Sequence, residues 1–368
     1  MKRIPLHTMV ATPGALGGRP SALGRGHCPP PERKRQSLLF APLVFLAMCV
    51  LLVPWCLAQQ SAGAAASPLK RMPEAQKAEQ SGQSEDQSGP TFRVNVKLVN
   101  VFATVVDESG APVGGLNKQD FQVFEDGKPQ KIAVFDRESG LPLSIVMEID
   151  TSLSTHKDLR LELESARRFA HTILRPVDGL ALFQFSEIVD ELVPFTSSLK
   201  RIDNGIDRIH PGAATALYDA LYLGARALGR RQGRKVLVVI TDGGDTVSTT
   251  DYAQALRAAQ EAEAIVYSII VVPIEADAGR DIGGEHALIQ ISHDTGGKYY
   301  YAAGINQLDE AFRKISDELR TQYLLAYYPS QRISDSDFRR INIAVKSPPG
   351  KDFTVRARTG YYTTKEDW

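Results

Sequence analysis

Two patterns of apolar residues alternate through the middle of the chain and predict an α/β fold. Four short runs are apolar at nearly every position, which is typical of strands buried on both faces of a parallel sheet. These runs are Leu143 to Ile149, Leu180 to Phe185, Val236 to Ile240 and Ile265 to Val272. Elsewhere apolar residues recur every three or four positions, the spacing of an amphipathic helix, in stripes from Leu159 to Ile173, Leu217 to Leu228 and Leu308 to Leu319. The alternation predicts a doubly wound, mostly parallel sheet.

The regions on either side of this domain have an apolar period of two, which predicts strands. The predicted strands are Phe92 to Leu98, Val101 to Val106, Phe121 to Phe124, Ile132 to Phe135, Tyr323 to Tyr328, Arg340 to Val345 and Phe353 to Arg358. The dipeptide Asp126-Gly127 predicts a hairpin between the third and fourth of them. Neither flank has enough strands for a core of its own, so we expect residues 91–140 and 323–363 to form one small immunoglobulin-like β-sandwich. Residues 141–322 would then be an inserted domain.

The N-terminal region has the pattern of an export signal. Arg33-Lys34-Arg35 precedes an apolar run from Leu38 to Ala58, and small residues precede Gln59 as in a signal-peptidase site. The run is also long enough to span a bilayer, so residues 1–58 are interpreted as a cleaved signal peptide or a membrane anchor. Their first part is long for a signal, and Met9 is an alternative start. Residues 59–90 lack apolar periodicity and are interpreted as a disordered linker.

The composition argues against nucleic acid as a partner and against disulfide or thiol chemistry. Residues 1–58 contain seven Lys or Arg and one Glu, leaving 36 basic and 42 acidic residues in the rest of this 368-residue chain. An acidic body disfavours nucleic acid as a partner. All three cysteines, Cys28, Cys49 and Cys56, lie in the leader, so the exported protein would have no disulfide and no catalytic thiol.

Side chains that bear oxygen follow two of the buried strands and precede one predicted helix. Asp150, Ser152 and Ser154 follow the first strand, Thr215 precedes the helix that begins near Leu217, and Asp242 follows the strand that ends near Ile240. Open parallel sheets bind ligands at the carboxyl ends of their strands, where the strand order reverses. Hard divalent cations prefer oxygen ligands. The sequence therefore predicts one metal site at this edge.

The pattern Asp-x-Ser-x-Ser, then a distant Thr and a distant Asp, resembles the metal-ion-dependent adhesion site of the von Willebrand factor A family. The resemblance covers residues 141 to about 322, and the segments Ala216–Leu221 and Thr295–Tyr300 are similar to those of bacterial extracytoplasmic members. It implies that Asp150, Ser152, Ser154, Thr215 and Asp242 bind Mg²⁺, or Mn²⁺ or Ca²⁺. It further implies that an Asp or Glu of a partner protein completes the coordination. Ala213-Ala214 departs from the Gly-Gly of many members.

The resemblance therefore implies an extracytoplasmic protein, periplasmic, secreted or membrane-anchored, that binds other proteins through a metal and is not an enzyme. Two alternatives remain open: an envelope module whose metal only stabilises loops, and a metal-dependent hydrolase, for which the sequence has no further catalytic motif.

Other polar residues are assigned structural roles. His286 and His293 are interpreted as surface residues because no third ligand has suitable spacing. Glu148 lies inside a buried strand and needs a partner, for which Arg167 and Arg168 are the candidates. Asp219 is expected to support the metal ligands, and Asp245 to cap a loop.

Overall fold

The computed structural model describes residues 98–137, 140–153, 159–272, 282–330 and 338–363. The predicted leader, the predicted linker and Ser154 lie outside these ranges. Within the described ranges, the structure contains no helix of the length and hydropathy needed to span a membrane.

The first four strands lie before the central domain. They are β1 (Val99–Val106), β2 (Phe121–Glu125), β3 (Lys128–Gln130) and β4 (Ile132–Arg137). The central region follows with six strands, β5 (Leu143–Asp150), β6 (Gly179–Phe185), β7 (Val189–Thr196), β8 (Arg234–Thr241), β9 (Ala264–Val271) and β10 (Tyr299–Ala302). Six helices accompany them: α1 (Leu159–Ile173), α2 (Leu199–Ile206), α3 (Leu217–Gly229), α4 (Tyr252–Glu261), α5 (Ile282–Asp294) and α6 (Ile305–Thr321). The last four strands are β11 (Tyr323–Tyr327), β12 (Phe338–Val345), β13 (Thr354–Arg356) and β14 (Gly360–Tyr362).

The central sheet has the strand order β10-β9-β8-β5-β6-β7. All neighbouring strands in it are parallel except β7, which pairs antiparallel with β6 at one edge. The strand order reverses between β5 and β8, the strands that end at Asp150 and directly before Asp242. The α/β prediction is therefore confirmed for this sheet.

Helices cover both faces of the central sheet because its inner strands are apolar on both faces. On one face, Ile145 and Met147 of β5 pack with α1 and α6, where the rings of Phe169 and Phe312 stack at 4.6 Å. On the other face, Val146 packs with α3, α4 and α5. Burying each such side chain stabilises the fold by roughly 1.5–3 kcal/mol.

Both flanks contribute strands to two antiparallel sheets, ordered β13-β1-β11-β4 and β14-β12-β2-β3. The N-terminal strand β1 lies between the C-terminal strands β11 and β13, and β2 pairs with β12. Residues of both sheets, among them Val101, Phe121, Leu325 and Ile341, share one buried cluster. Each flank therefore supplies neighbours that the other lacks.

The predicted hairpin partner of β2 is wrong. Asp126 and Gly127 have φ values of 47° and 77°, as a two-residue turn requires. Such a turn places Lys128 directly opposite Glu125, so β3 pairs with β2. The segment expected there, Ile132 to Phe135, lies in β4 and pairs with β11 in the other sheet.

Candidate metal centre

Asp150 is the last residue of β5 and is fully buried at the carboxyl edge of the central sheet. The Thr241 hydroxyl donates to Asp150 Oδ2 at 2.6 Å, and the Ser152 backbone N–H donates to Oδ1 at 2.8 Å. Thr241 is the last residue of β8, the neighbouring strand. The strand pairing and these two donors fix the orientation of the carboxylate.

The charge of a second carboxylate, Asp242, contributes to the shifted pKa of Asp150. Burial raises the pKa of Asp150 to about 6, although hydrogen bonds from Thr241 and Ser152 oppose the shift, and the charge of Asp242 raises it further. Asp242 directly follows β8, and its Oδ1 accepts from the Gly244 N–H at 3.3 Å. A bound divalent cation would offset the repulsion between these two carboxylates, which is a reason to expect a metal here.

Thr215 is tied to the loop that carries Asp242. Its N–H donates to Thr246 Oγ1 at 2.9 Å, and its carbonyl accepts from the Thr246 N–H at 2.8 Å. Asp245 of the same loop accepts from the Leu217 N–H at 2.9 Å and so caps the start of α3. The predicted role of Asp245 as a cap is therefore seen, although the residues it caps belong to a helix.

Glu187 was not singled out from the sequence, yet it holds the loop before Thr215. Its Oε2 accepts from the N–H groups of Ala213 and Ala214, at 2.9 and 3.5 Å, and these bonds lower the pKa of Glu187 to about 2. Glu187 lies in the turn between β6 and β7. The sequence offered no signal for this contact, because the residues are 26 positions apart and no spacing rule joins them.

Asp219, expected to support the metal ligands, organises the next part of the loop. Its carboxylate accepts from the N–H groups of Thr249 and Thr250, at 3.0 and 2.8 Å. Burial acts in the opposite direction, but these hydrogen bonds hold the pKa of Asp219 below its usual value. Asp219 thus fixes where the loop after Asp242 meets α3.

The predicted ion pair of Glu148 with Arg167 or Arg168 is wrong. Arg167 pairs with Asp203 at 3.1 Å and with Asp207, and Arg168 pairs with Asp309 at 2.8 Å. Side chains alternate along β5, so Glu148 points away from α1, which carries both arginines, and towards α3. It is fully buried with no hydrogen bond to the described residues, and burial raises its pKa to about 8.

The two histidines lie on α5, and both are exposed, as predicted. His293 Nδ1 lies 3.1 Å from the carboxylate of Asp294.

No three His, Cys, Asp or Glu side chains within the described ranges cluster in the manner of a metal site. The predicted centre is of a different kind, since its expected donors are two carboxylates, Asp150 and Asp242, together with the hydroxyls of Ser152, Ser154 and Thr215. Oxygen donors of these types suit Mg²⁺, Mn²⁺ or Ca²⁺.

Comparison with known proteins gives one family match and several similar structures. Residues 145–245 match the family model of the von Willebrand factor type A domain. BatB from Bacteroides thetaiotaomicron is similar at 21% identity and a TM-score of 0.40, over 49% of this chain and 100% of that one. A von Willebrand factor type A structure from Catenulispora acidiphila is similar at 12% identity and a TM-score of 0.43, over 72% and 74% of the two chains.

Another similar structure is proximal thread matrix protein 1 of the mussel byssus with a zinc-occupied MIDAS motif, the metal-ion-dependent adhesion site. It has 17% identity and a TM-score of 0.44, over 53% of this chain and 50% of that one. No curated protein sequence matches the chain. The resemblance to the von Willebrand factor type A family predicted from the sequence is confirmed by the family match over residues 145–245.

Proposed function

We propose that the chain binds a partner protein through a divalent cation held at the carboxyl edge of the central sheet. Asp150, Ser152, Ser154, Thr215 and Asp242 would hold the ion, with Mg²⁺ as the expected metal and Mn²⁺ or Ca²⁺ as alternatives. The observation that carries the proposal is the fully buried Asp150 carboxylate, oriented by Thr241 and repelled by Asp242. Such a carboxylate is stabilised by a cation.

The charge balance of this donor set suggests what the partner offers. Asp150 and Asp242 together neutralise a divalent cation, and hydroxyl oxygens add no charge. If one of these carboxylates acts only through water, the ion remains electrophilic and attracts an anionic ligand, so we propose that an Asp or Glu of a partner protein completes its coordination. Nucleic acid is not a proposed partner, and we propose that the protein is not an enzyme.

We further propose that the protein acts outside the cytoplasm. The support is the apolar run at residues 38–58 after a basic cluster, which would either be cleaved or remain as an attachment to the membrane.

The two flanking sheets are proposed to form an immunoglobulin-like module, residues 91–140 with 323–363, that carries the inserted domain of residues 141–322. Their shared cluster of buried residues supports this division.

Metal titration of a matched pair of variants tests the centre. Asp150→Asn keeps the shape of the side chain but removes its charge, so we expect the affinity for Mg²⁺ and Mn²⁺ measured by calorimetry to fall at least a hundredfold. Asp317→Asn, on the exposed side of α6, is the control and should bind metal like the wild type. Equal metal affinity in all three proteins would contradict the assignment.

Partner capture separates adhesion from the two alternatives. Protein should be retained from a native envelope extract in Mg²⁺ and released by chelator. Thr215→Ala should clearly reduce this retention while changing the melting temperature little. Capture that persists in chelator would favour a purely structural metal. Ester hydrolysis that is lost in Asp150→Asn would favour a hydrolase.

A further inference from the structure

A polar cavity of about 350 Å³ lies at the opposite edge of the central sheet from the candidate metal centre. It is bounded by the amino ends of β5 and β8 and by the carboxyl ends of α1 and α6. Three guanidinium groups line it, those of Arg175, Arg234 and Arg320, together with one carboxylate, Asp178. The cavity therefore has a formal excess of two positive charges.

The single carboxylate is already engaged by one of the arginines. Arg175 Nε and Nη2 donate to the two oxygens of Asp178 at 2.8 and 2.9 Å, and the Leu143 N–H adds a third bond at 2.9 Å. Burial opposes the shift, but these bonds hold the pKa of Asp178 below its usual value. Among the described residues, Asp178 thus forms its ion pair with Arg175 and not with the other two arginines.

Of those two arginines, Arg234 has the larger free-energy cost because its charged group is buried. It is only 4% exposed, and its Nη1 donates to the neutral carbonyl of Leu319. Its buried Nε has no hydrogen-bond partner among the described residues. Burial lowers the pKa of Arg234 and repulsion from Arg175 lowers it further, while the charge of Asp178 opposes this shift without cancelling it. A buried guanidinium with an unused donor is unfavourable unless an anion accompanies it.

Arg320 lies in the last turn of α6 and is exposed. Its Nη2 donates to the carbonyl of Thr172 at 2.9 Å, another neutral acceptor. Within the described ranges, no carboxylate forms an ion pair with Arg320 or with Arg234. Two guanidinium groups on different elements therefore line one cavity while their charges remain free to act on a ligand.

We propose that this cavity binds a small oxyanion, a phosphate or a carboxylate, between Arg234 and Arg320. The planar guanidinium group matches both anions, because its parallel N–H donors can bind two oxygens at once. The volume is in the range of small-molecule sites. Leu143, Ile173 and Leu319 form the apolar part of the wall, which suits an anion that carries a short aliphatic group. This site is independent of the metal-dependent function proposed above.

Calorimetric titration of the full chain tests the proposal. Inorganic phosphate and succinate are the two probes, each measured in chelator so that neither can act through a metal, and against sodium chloride of equal ionic strength. We expect saturable binding and a rise in melting temperature with at least one probe. Stronger binding of phosphate or of succinate identifies which oxyanion the cavity prefers.

Variants locate the binding. Arg320→Gln and Arg234→Lys should each weaken it by about tenfold or more, since a charge-assisted hydrogen bond or its fork geometry is lost. Arg313→Gln, on the same helix but paired with Glu310 and Asp317, should bind like the wild type. The proposal is overturned if neither probe differs from chloride, or if both cavity variants retain wild-type affinity.

Discussion

The hydroxyl of Thr241 links the two loops of the candidate metal centre. It donates to Asp150 Oδ2 at 2.6 Å and accepts from the Gly243 N–H at 3.1 Å. One small side chain thus orients the buried carboxylate of one loop and fixes the backbone that follows Asp242 in the other. The sequence places Asp150 and Asp242 at the ends of buried strands, but the role of Thr241 depends on the register of β5 against β8, which no local pattern encodes.

Thr241→Val should weaken metal binding without removing any proposed ligand. Valine has nearly the same shape, so the change removes only the hydrogen bonds, and loss of such an orienting group typically costs about 10–100-fold in metal affinity. Calorimetry with Mn²⁺ measures the effect. Thr241→Ser retains the hydroxyl and should restore most of the affinity, and a serine variant as weak as the valine variant would show that the hydroxyl is not responsible.

At the scale of elements, helix α3 lies on β5 through a contact that no periodicity predicts. Gly224 in the middle of α3 faces the buried carboxylate of Glu148, and a Cβ atom at this position would overlap Glu148 Oε1 and lie 3.1 Å from Leu237 Cδ1. The apolar stripe predicted α3, and the fully apolar runs predicted β5, β6, β8 and β9, because burial alone specifies such elements. Strand β7 is only partly buried and lacks that signal.

Gly224→Ala should destabilise the fold by about 1–2 kcal/mol, as overpacking of the interface outweighs the roughly 1 kcal/mol that alanine contributes to a helix. The free energy of unfolding in urea measures the change. Glu148→Ala removes the atoms that the new methyl group would meet, so the double variant should be more stable than the sum of the single effects by about 1 kcal/mol. Strict additivity would show that the two residues do not constrain each other.

At the scale of the whole molecule, the flanks are joined by strand pairing and by side chains. The Tyr323 hydroxyl donates to the Val113 carbonyl at 2.8 Å and accepts from the Leu116 N–H at 3.1 Å. The C-terminal flank is also held to the central domain, where Glu318 of α6 pairs with Arg356 of β13 at 2.6 Å. The sequence indicated that each flank lacked strands, but it could not specify that β4 leaves β2 for β11, since that choice is made by distant packing.

Truncation after Gln322 removes every strand that β1 pairs with, so residues 98–137 should lose their protection from protease. Limited proteolysis followed by mass spectrometry measures the cleavage rate in that segment, which we expect to rise by at least an order of magnitude. Truncation after Thr363 keeps all four C-terminal strands and is the control. Unchanged protection in the shorter protein would mean that the N-terminal strands fold as a separate unit.

The position of β1 between β11 and β13 also sets the order in which parts of the chain fold during synthesis. Contacts such as that of Tyr323 with Val113 join residues 210 positions apart, and at ordinary rates of synthesis this distance corresponds to roughly 10–40 s. By the end of that interval the central sheet has all its strands, whereas β1 still has only unpaired edges, which readily join the wrong neighbour. A newly made chain therefore completes the central domain first, and its N-terminal strands must be shielded until the last part of the chain arrives.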